Sequence, residues 1–422
     1  MSVVVKPPGA PAVKTGRLRA WFYKRFPIEE IVSDQLTGYY APKNFNFWYF
    51  FGVLAIVVLV LQLATGIFLT MFYQVGENTS FSSIQFIMRE VDYGWLIRYM
   101  HTTGASAFFI IIYLHMFRAL LYGSYKPPRE LLWIIGMLAY LALMAEAFLG
   151  YVLPYGNMSY WAAQVIVNVF GTIPAIGPGI AQWIRGDYGI SGATLNRFFA
   201  LHVAAVPLAL LLLVALHLVA LRRTGSNNPD GIEIKDHLGP DGHPIDGVPF
   251  HPYYTTKDTV GVGVFLILFA IVVFFVPAFG GHFLEPANFE PANPFSTPPD
   301  ITPAWYLAPY YSILRGVPNK SLGALLLLLA IVAYFFLPWL DRSPVKSMRY
   351  KGWLSKLFLA LFALGFIGLM VTGLHPVDPS WVLAGRICTA LYFAYFLLMP
   401  WYTRFEAVKP VPDRLRFHAH AA

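Results

Sequence analysis

An all-α integral membrane protein with eight transmembrane helices is what this sequence predicts, from its composition, the length of its apolar runs and the placement of its charge. Of 422 residues, 57% are hydrophobic and only 12% charged, too little charge to cover a soluble surface. Several apolar runs exceed the roughly 18 residues that mark a membrane-spanning helix. The net charge of +8 would suit nucleic acid. The basic residues, however, stand at the ends of apolar runs rather than in one patch, so membrane topology accounts for them and no nucleic-acid partner is expected. The lone cysteine, Cys388, lies inside an apolar segment. It excludes disulfides, cysteine-held clusters and zinc fingers within the chain, and reads as a small buried hydrophobe.

Apolar runs bounded by Pro, Gly and charges predict spans near residues 46–73, 95–121, 131–153, 197–221, 259–277, 321–340, 353–373 and 381–402. The segment 1–45 is basic and proline-containing, with no apolar stretch leading to a small-residue cleavage site, and is expected to stay in the cytoplasm. Of the 30 Lys and Arg, 23 fall in that segment, the tail 403–422 and the even-numbered connections with the helix ends that flank them. This positive-inside bias puts both termini on the cytoplasmic side. The outer connections 154–196 and 278–320 are long, and the second carries a proline-dense stretch from Glu285 to Pro309. Ordering such loops costs chain entropy, so they are expected to roof an outer site, with plain surface cover as the alternative. The connection 222–258 is polar, with Asp236, Asp241 and Asp246 among glycines, and is expected to be a solvated insertion with chemistry only at its two ends. The chain thus divides into a four-helix bundle, 46–221, and a carboxy-terminal four-helix region, 259–402.

Four histidines lie within predicted spans: His101 and His115 in the second, His202 and His217 in the fourth. An imidazole in hydrocarbon is costly unless it is paired or liganded. Fourteen residues separate the first two, a rise of about 21 Å and roughly 40° short of four turns, so they share a face at two depths. Fifteen separate the others, about 22.5 Å and roughly 60° past four turns. Pro207 lies between them to bend the helix and absorb part of the offset. Both spans run from outside to inside, so His101 matches His202 in depth and His115 matches His217.

Two opposed imidazoles per level, with no cysteine or carboxylate between them, are too few for a zinc or copper site. They suit an iron porphyrin, which supplies four nitrogens and needs two axial ligands. Two non-covalent b-type haems are the expectation. Gly52 and Gly66 in the first span, and Gly136 and Gly150 in the third, repeat at the same interval of 14 and would give the porphyrins clearance; Gly52 and Gly136 match the inner level, Gly66 and Gly150 the outer. Small residues also promote ordinary helix contact. Arg98, Arg118 and Arg197 lie near His101, His115 and His202 as candidate propionate partners, or as interfacial cations.

From about Asn44 to Trp401 the chain resembles the cytochrome b family, the membrane subunit of quinol to cytochrome c oxidoreductase complexes of the bacterial type. The carrying residues are Arg98 with His101-Thr-Thr-Gly-Ala-Ser, Gly150-Tyr-Val-Leu-Pro-Tyr-Gly-Asn-Met-Ser-Tyr-Trp161, Arg197-Phe-Phe-Ala-Leu-His202, Gly225-Ser-Asn-Asn-Pro229 and His251-Pro-Tyr-Tyr-Thr-Thr-Lys-Asp258. Asn293-Pro-Phe-Ser-Thr-Pro-Pro299 and Leu314-Arg-Gly-Val-Pro-Asn-Lys320 add to them. The resemblance implies a proton-translocating Q cycle: quinol is oxidised at an outer site, one electron going to a Rieske iron–sulfur protein and the other through two haems to quinone at an inner site. It implies that His101 and His202 hold a low-potential outer haem iron, that His115 and His217 hold a high-potential inner one, and that Trp133 is an inner-propionate partner. It further implies a c-type cytochrome partner, a homodimeric complex in the bacterial inner membrane with lipid around it, and ubiquinone as the quinone.

By the same resemblance the outer quinol site takes Tyr151, Gly156, Met158, Pro303, Trp305, Tyr306 and Tyr311. Where the family commonly has a proton-accepting glutamate this chain has Ala304. Glu146, a lone carboxylate in an apolar span, is the expected substitute, with Asp300 as runner-up. At the inner quinone site Ser226, Lys257 and Asp258 match. Arg222 stands where a histidine is usual, and arginine can donate to a carbonyl but cannot shuttle a proton near neutral pH. Two rivals remain: an eight-span transporter whose histidines and Glu146 relay protons, and a dehydrogenase's membrane anchor, which would lack the long proline-rich outer loop.

Overall fold

A computed structural model describes residues 38–415 together with Arg17, Leu18, Trp21 and Arg25. The expected segment 1–45 lies outside the described residues apart from those four positions and 38–45, and so does the tail from 416 onward. Among the described residues, eight helices are long and apolar enough to cross a membrane: α1 Phe47–Thr70, α2 Gly94–Tyr122, α3 Glu130–Val152, α4 Gly192–Thr224, α5 Phe250–Phe275, α6 Lys320–Leu340, α7 Trp353–Leu374 and α8 Pro379–Phe405. Each overlaps an expected span, but α5 begins nine residues before its expected start at 259 and so takes in Lys257 and Asp258. Helix α4 starts five residues earlier than hydropathy suggests because a polar cap begins it: Ser191 Oγ accepts from the Ala193 N–H, and the Ser191 N–H donates to Thr194 Oγ1.

The chain forms two compact units, one of residues up to 43 with 234–259, the other of 44–233 with 260 onward. In the smaller, strand β1, Tyr40–Pro42, pairs antiparallel with β2, Gly247–Pro249. Lys43 and Asp246 pair there at 2.7 Å, and Tyr254 OH donates to the Pro42 carbonyl at 2.6 Å. In the larger, α1 packs along α2, α3 along α4 and α7 against α8. Helix α4 turns most of its apolar surface outward.

Two features position the site. The first is a π turn over Leu201–Ala205, closed by the Val206 N–H on the Leu201 carbonyl, directly ahead of Pro207. Such a turn inserts one residue into the helix. That extra residue, rather than a proline bend alone, brings the 15-residue interval from His202 to His217 into register with the 14 residues from His101 to His115. The second is the joining of the two long outer connections. The Asn157 N–H donates to the Glu290 carbonyl at 3.0 Å, and the Ala292 N–H to the Tyr155 carbonyl at 2.9 Å.

The connection expected as one solvated segment, 222–258, divides at Glu233, and its first part is a buried polar joint. Asn227 donates to the Tyr122 carbonyl at 2.9 Å, Asn228 is fully buried, and Asp230 pairs with Arg349 at 2.7 Å. Arg129 holds Glu233 through two bonds of 2.5 and 2.7 Å, and Lys346 reaches the same carboxylate at 2.6 Å. Beside them Asp341 is buried against Lys351, Lys126 at 3.2 Å and the Tyr125 hydroxyl at 2.7 Å.

Candidate functional site

The structure brings the four histidines together as two facing pairs. The His101 and His202 ring centroids stand 6.3 Å apart with their planes at 89°; those of His115 and His217 stand 6.3 Å apart at 60°. Two imidazoles on one metal, each bonded through a nitrogen at about 2.0–2.1 Å and each with that nitrogen about 1.1 Å from its centroid, would place the centroids about 6.3 Å apart. The gap in each pair therefore has the width of one six-coordinate iron. Among the described residues no group of three or more His, Cys, Asp or Glu converges on one point, so the remaining ligands would have to come from a porphyrin, as the haem reading requires.

Hydrogen bonding fixes the outer tautomers. The Thr65 hydroxyl donates to the Leu61 carbonyl at 2.7 Å, so it accepts from His101 Nδ1 at 2.9 Å. His202 Nδ1 faces only acceptors, the Glu146 carbonyl at 2.9 Å and the carboxylate Oε1 at 3.0 Å. With the proton on Nδ1 in both rings, Nε2 carries the lone pair a metal needs.

Each glycine meets one histidine, at the expected level. A Cβ at Gly52 would stand 3.8 Å from His115 Cε1, at Gly66 3.3 Å from His101 Cε1, at Gly136 3.0 Å from His217 Cε1 and at Gly150 2.4 Å from His202 Cε1. Small residues on α1 and α3 thus let the imidazoles of α2 and α4 lie close against the neighbouring backbone.

The cations divide. Arg98 lines the outer cavity, and its Nη1 is buried with no hydrogen-bond partner among the described residues, the setting an anionic propionate would complete. Arg118 lies over the Tyr122 ring at 5.6 Å. Arg197 is exposed and donates to the Trp183 carbonyl beside Gly186, so it does not reach the outer cavity. Trp133 gives its indole N–H to the Tyr334 carbonyl at 2.7 Å. That donor is used, and the ring is left as an apolar wall.

A cavity runs from His101 and His202 to the joined outer connections. Of the expected outer-site residues Glu146, Tyr151 and Tyr306 line it, together with Ala304. Gly156, Met158, Pro303, Trp305 and Tyr311 do not. Gly156 bridges to Pro291, Met158 is buried, Trp305 donates to Ser106 Oγ at 3.1 Å, and Tyr311 lies under Arg315 at 5.4 Å. The cavity also holds a carboxylate the sequence reading passed over. Glu285 Oε2 accepts from Asn288 Nδ2 at 3.1 Å, and the same amide reaches the Tyr151 hydroxyl at 3.0 Å. Burial pushes the Glu285 carboxyl up to about 7, against the opposing pull of its hydrogen bonds to Asn288 and Tyr151. Glu146, the expected proton acceptor, instead turns its carboxylate to His202. At the expected inner quinone site Lys257 donates to the Tyr253 hydroxyl at 2.8 Å, within the unit that holds Asp258; Arg222 and Ser226 belong to the larger unit.

The family model for cytochrome b/b6/petB matches residues 36–225, and that for cytochrome b (C-terminal)/b6/petD matches 291–393. The chain is 55% identical over 414 residues to cytochrome b of Allochromatium vinosum, covering 96% of this chain and 99% of that one. It is 46% identical over 397 residues to cytochrome b of Rhodospirillum rubrum, covering 93% and 94%. Among solved structures it resembles a chain of a hyperthermophilic respiratory complex III, with a TM-score of 0.86 and 38% identity over 92% of this chain and 99% of that one. The protein is a member of the cytochrome b family, a multi-pass, haem-type electron-transport subunit with the fold found in respiratory complex III.

Proposed function

We propose that the chain is the di-haem subunit of a Q-cycle complex that oxidises quinol at the outer cavity, reduces quinone at an inner site and couples this to proton translocation and cytochrome c reduction. The observation that carries the reading is the repetition of one geometry at two depths: a histidine pair spaced for one iron, with a glycine at each ring edge. The partners are a Rieske iron–sulfur protein and a c-type cytochrome, in a homodimeric complex of the bacterial cytoplasmic membrane with both termini in the cytoplasm. Ubiquinone is the proposed quinone.

When bound, the two haems supply one-electron carriage between the faces of the membrane. His101 and His202 hold the outer iron, His115 and His217 the inner one, and Thr65 keeps His101 in the ligating tautomer. Arg98 balances anionic charge at the outer level. Oxidation of quinol releases two electrons and two protons; one electron and one proton would leave toward the iron–sulfur partner, and a haem held by His101 and His202 would supply the carrier for the other electron. Glu285, rather than Glu146 or Asp300, accepts one of the protons where Ala304 cannot, and a carboxyl near 7 is matched to that task at neutral pH. Lys257, Arg222 and Ser226 are the proposed inner-site donors to a quinone carbonyl, and Asp258 is the proposed carboxylate that manages its protons.

The test is redox potentiometry on the purified complex, followed in the b-type absorption band. Two one-electron components at separate potentials, with iron–sulfur and c-type centres co-purifying, are expected. A colourless chain would return the reading to a transporter; b-type absorption without a Rieske partner would return it to a dehydrogenase anchor.

A further inference from the structure

The two outer ligands differ in what stands behind them. His101 leans on a neutral hydroxyl, Thr65. His202 leans on Glu146, whose main-chain carbonyl and carboxylate Oε1 lie 2.9 and 3.0 Å from the same nitrogen. Both side chains are largely buried, 16% and 18% exposed, and Glu146 Oε2 is buried with no hydrogen-bond partner among the described residues. Among the described residues no carboxylate pairs with His101, His115 or His217. A lone carboxylate in an apolar span is expensive to keep, and this one is spent on one ligand of one pair.

We propose that Glu146 is a positioning residue for the outer haem: its carboxylate, set against Nδ1 of His202, strengthens that imidazole as a donor to the oxidised iron and so holds the outer haem at a lower potential than the inner one. The reason is electrostatic. Oxidation adds one positive charge at the iron, and a negative charge behind the ligand favours the more positive state most strongly where little water screens it. Hydrogen bonding behind an axial ligand is one of the means by which a protein sets haem potential. The inner pair lacks this partner, so the asymmetry gives the electron a downhill direction from outer to inner level. The proposal rests on the two-haem reading and concerns only the outer site.

The test is potentiometric titration of both b-type components at one pH in the intact complex carrying Glu146→Gln. Glutamine keeps the main-chain carbonyl and the side-chain volume but removes the charge. Partners behind a metal ligand are typically worth roughly ten- to hundred-fold. At least a tenfold shift in the oxidised to reduced ratio, about 59 mV for one electron, is expected, with the low-potential component moving upward and the high-potential one unmoved. Both components present and unmoved would overturn the proposal. Should Glu146→Gln lose the low-potential component altogether, Glu146→Asp decides: recovery of a low-potential band supports a role for the charge, and loss in both variants refutes it. Absence of two components in the unaltered complex would bring down the two-haem reading itself, a separate outcome.

Discussion

Gly150→Ala is the sharpest perturbation of the ligand cage. The added methyl would lie 2.4 Å from His202 Cε1 and 2.9 Å from both ring nitrogens, whereas ordinary contact begins at 3.4 Å. The imidazole would have to withdraw by about 1 Å, twice the roughly 0.5 Å within which a functional constellation must be held. It cannot rotate away without giving up the 2.9 Å bond from Nδ1 to the Glu146 carbonyl. Overpacking of this kind costs about 1–3 kcal/mol, and since about 1.4 kcal/mol is tenfold, outer haem retention should fall about five- to hundred-fold. The assay is haem content by pyridine haemochrome, with the amplitude of the low-potential b component measured against co-purified c-type haem. Gly52→Ala is the control, because its methyl would stand 3.8 Å from His115, in ordinary contact, and both components should persist. A Gly150→Ala complex with full haem and an unshifted low-potential band would refute the reasoning, and so would loss of the inner haem in Gly52→Ala.

Three further perturbations reach other parts of the molecule. Glu285→Gln removes the proposed proton acceptor; quinol oxidation should fall by about 10²–10⁴, the span of general-base contributions. In the unaltered complex the rate should climb with pH as the carboxylate forms up to about 7 and level off above it, and in the variant stopped-flow kinetics should show that limb gone. Arg98→Gln removes the cation whose Nη1 is buried with no hydrogen-bond partner among the described residues; the low-potential component should move downward in potentiometry, because loss of positive charge favours the oxidised form. Asp341→Ala leaves Lys126 and Lys351 without their buried counter-ion, a loss of about 3–5 kcal/mol visible as a lowered thermal transition of the detergent-solubilised complex. Burial opposes ionisation of Asp341, but Lys351 and Lys126 outweigh it and hold the carboxyl below its usual range. Its stabilisation is therefore complete above the ordinary carboxylate pKa and is lost only as pH falls through the depressed folded value.

The spans were legible because each is a long apolar run, and the histidine pairs because two intervals of about four turns fix depth and face. The glycines could be matched to their levels for the same reason, since helical rise converts sequence distance into height. What periodicity could not reveal is which surface meets which: each glycine meets the edge of an imidazole, and Arg197 turns away to Trp183. A π turn has no hydropathy signature, so the extra residue between His202 and His217 looked like an offset for proline to absorb. Glu285 was hidden for another reason. It sits in a loop where no period says which side chain turns inward, and its cue, an acid lining the same cavity as Ala304, exists only in the folded chain. The joint at Asp230 and Glu233 escaped likewise, because a run of Asn, Asp and Gly reads the same whether solvated or buried.

That charged joint bears on how the gene product could be divided. Lys126, Asp230 and Glu233 precede residue 234, while Asp341, Lys346 and Arg349 follow it, and the pairs Lys126–Asp341, Glu233–Lys346 and Asp230–Arg349 join the chain ahead of residue 234 to the stretch matched by the petD description. Mutual recognition of the two portions is written in side chains rather than in the peptide connecting them. Separate polypeptides broken between residues 234 and 246 would retain every one of those contacts, whereas a break placed beyond Arg349 would sever the later partners from the rest of their own fragment.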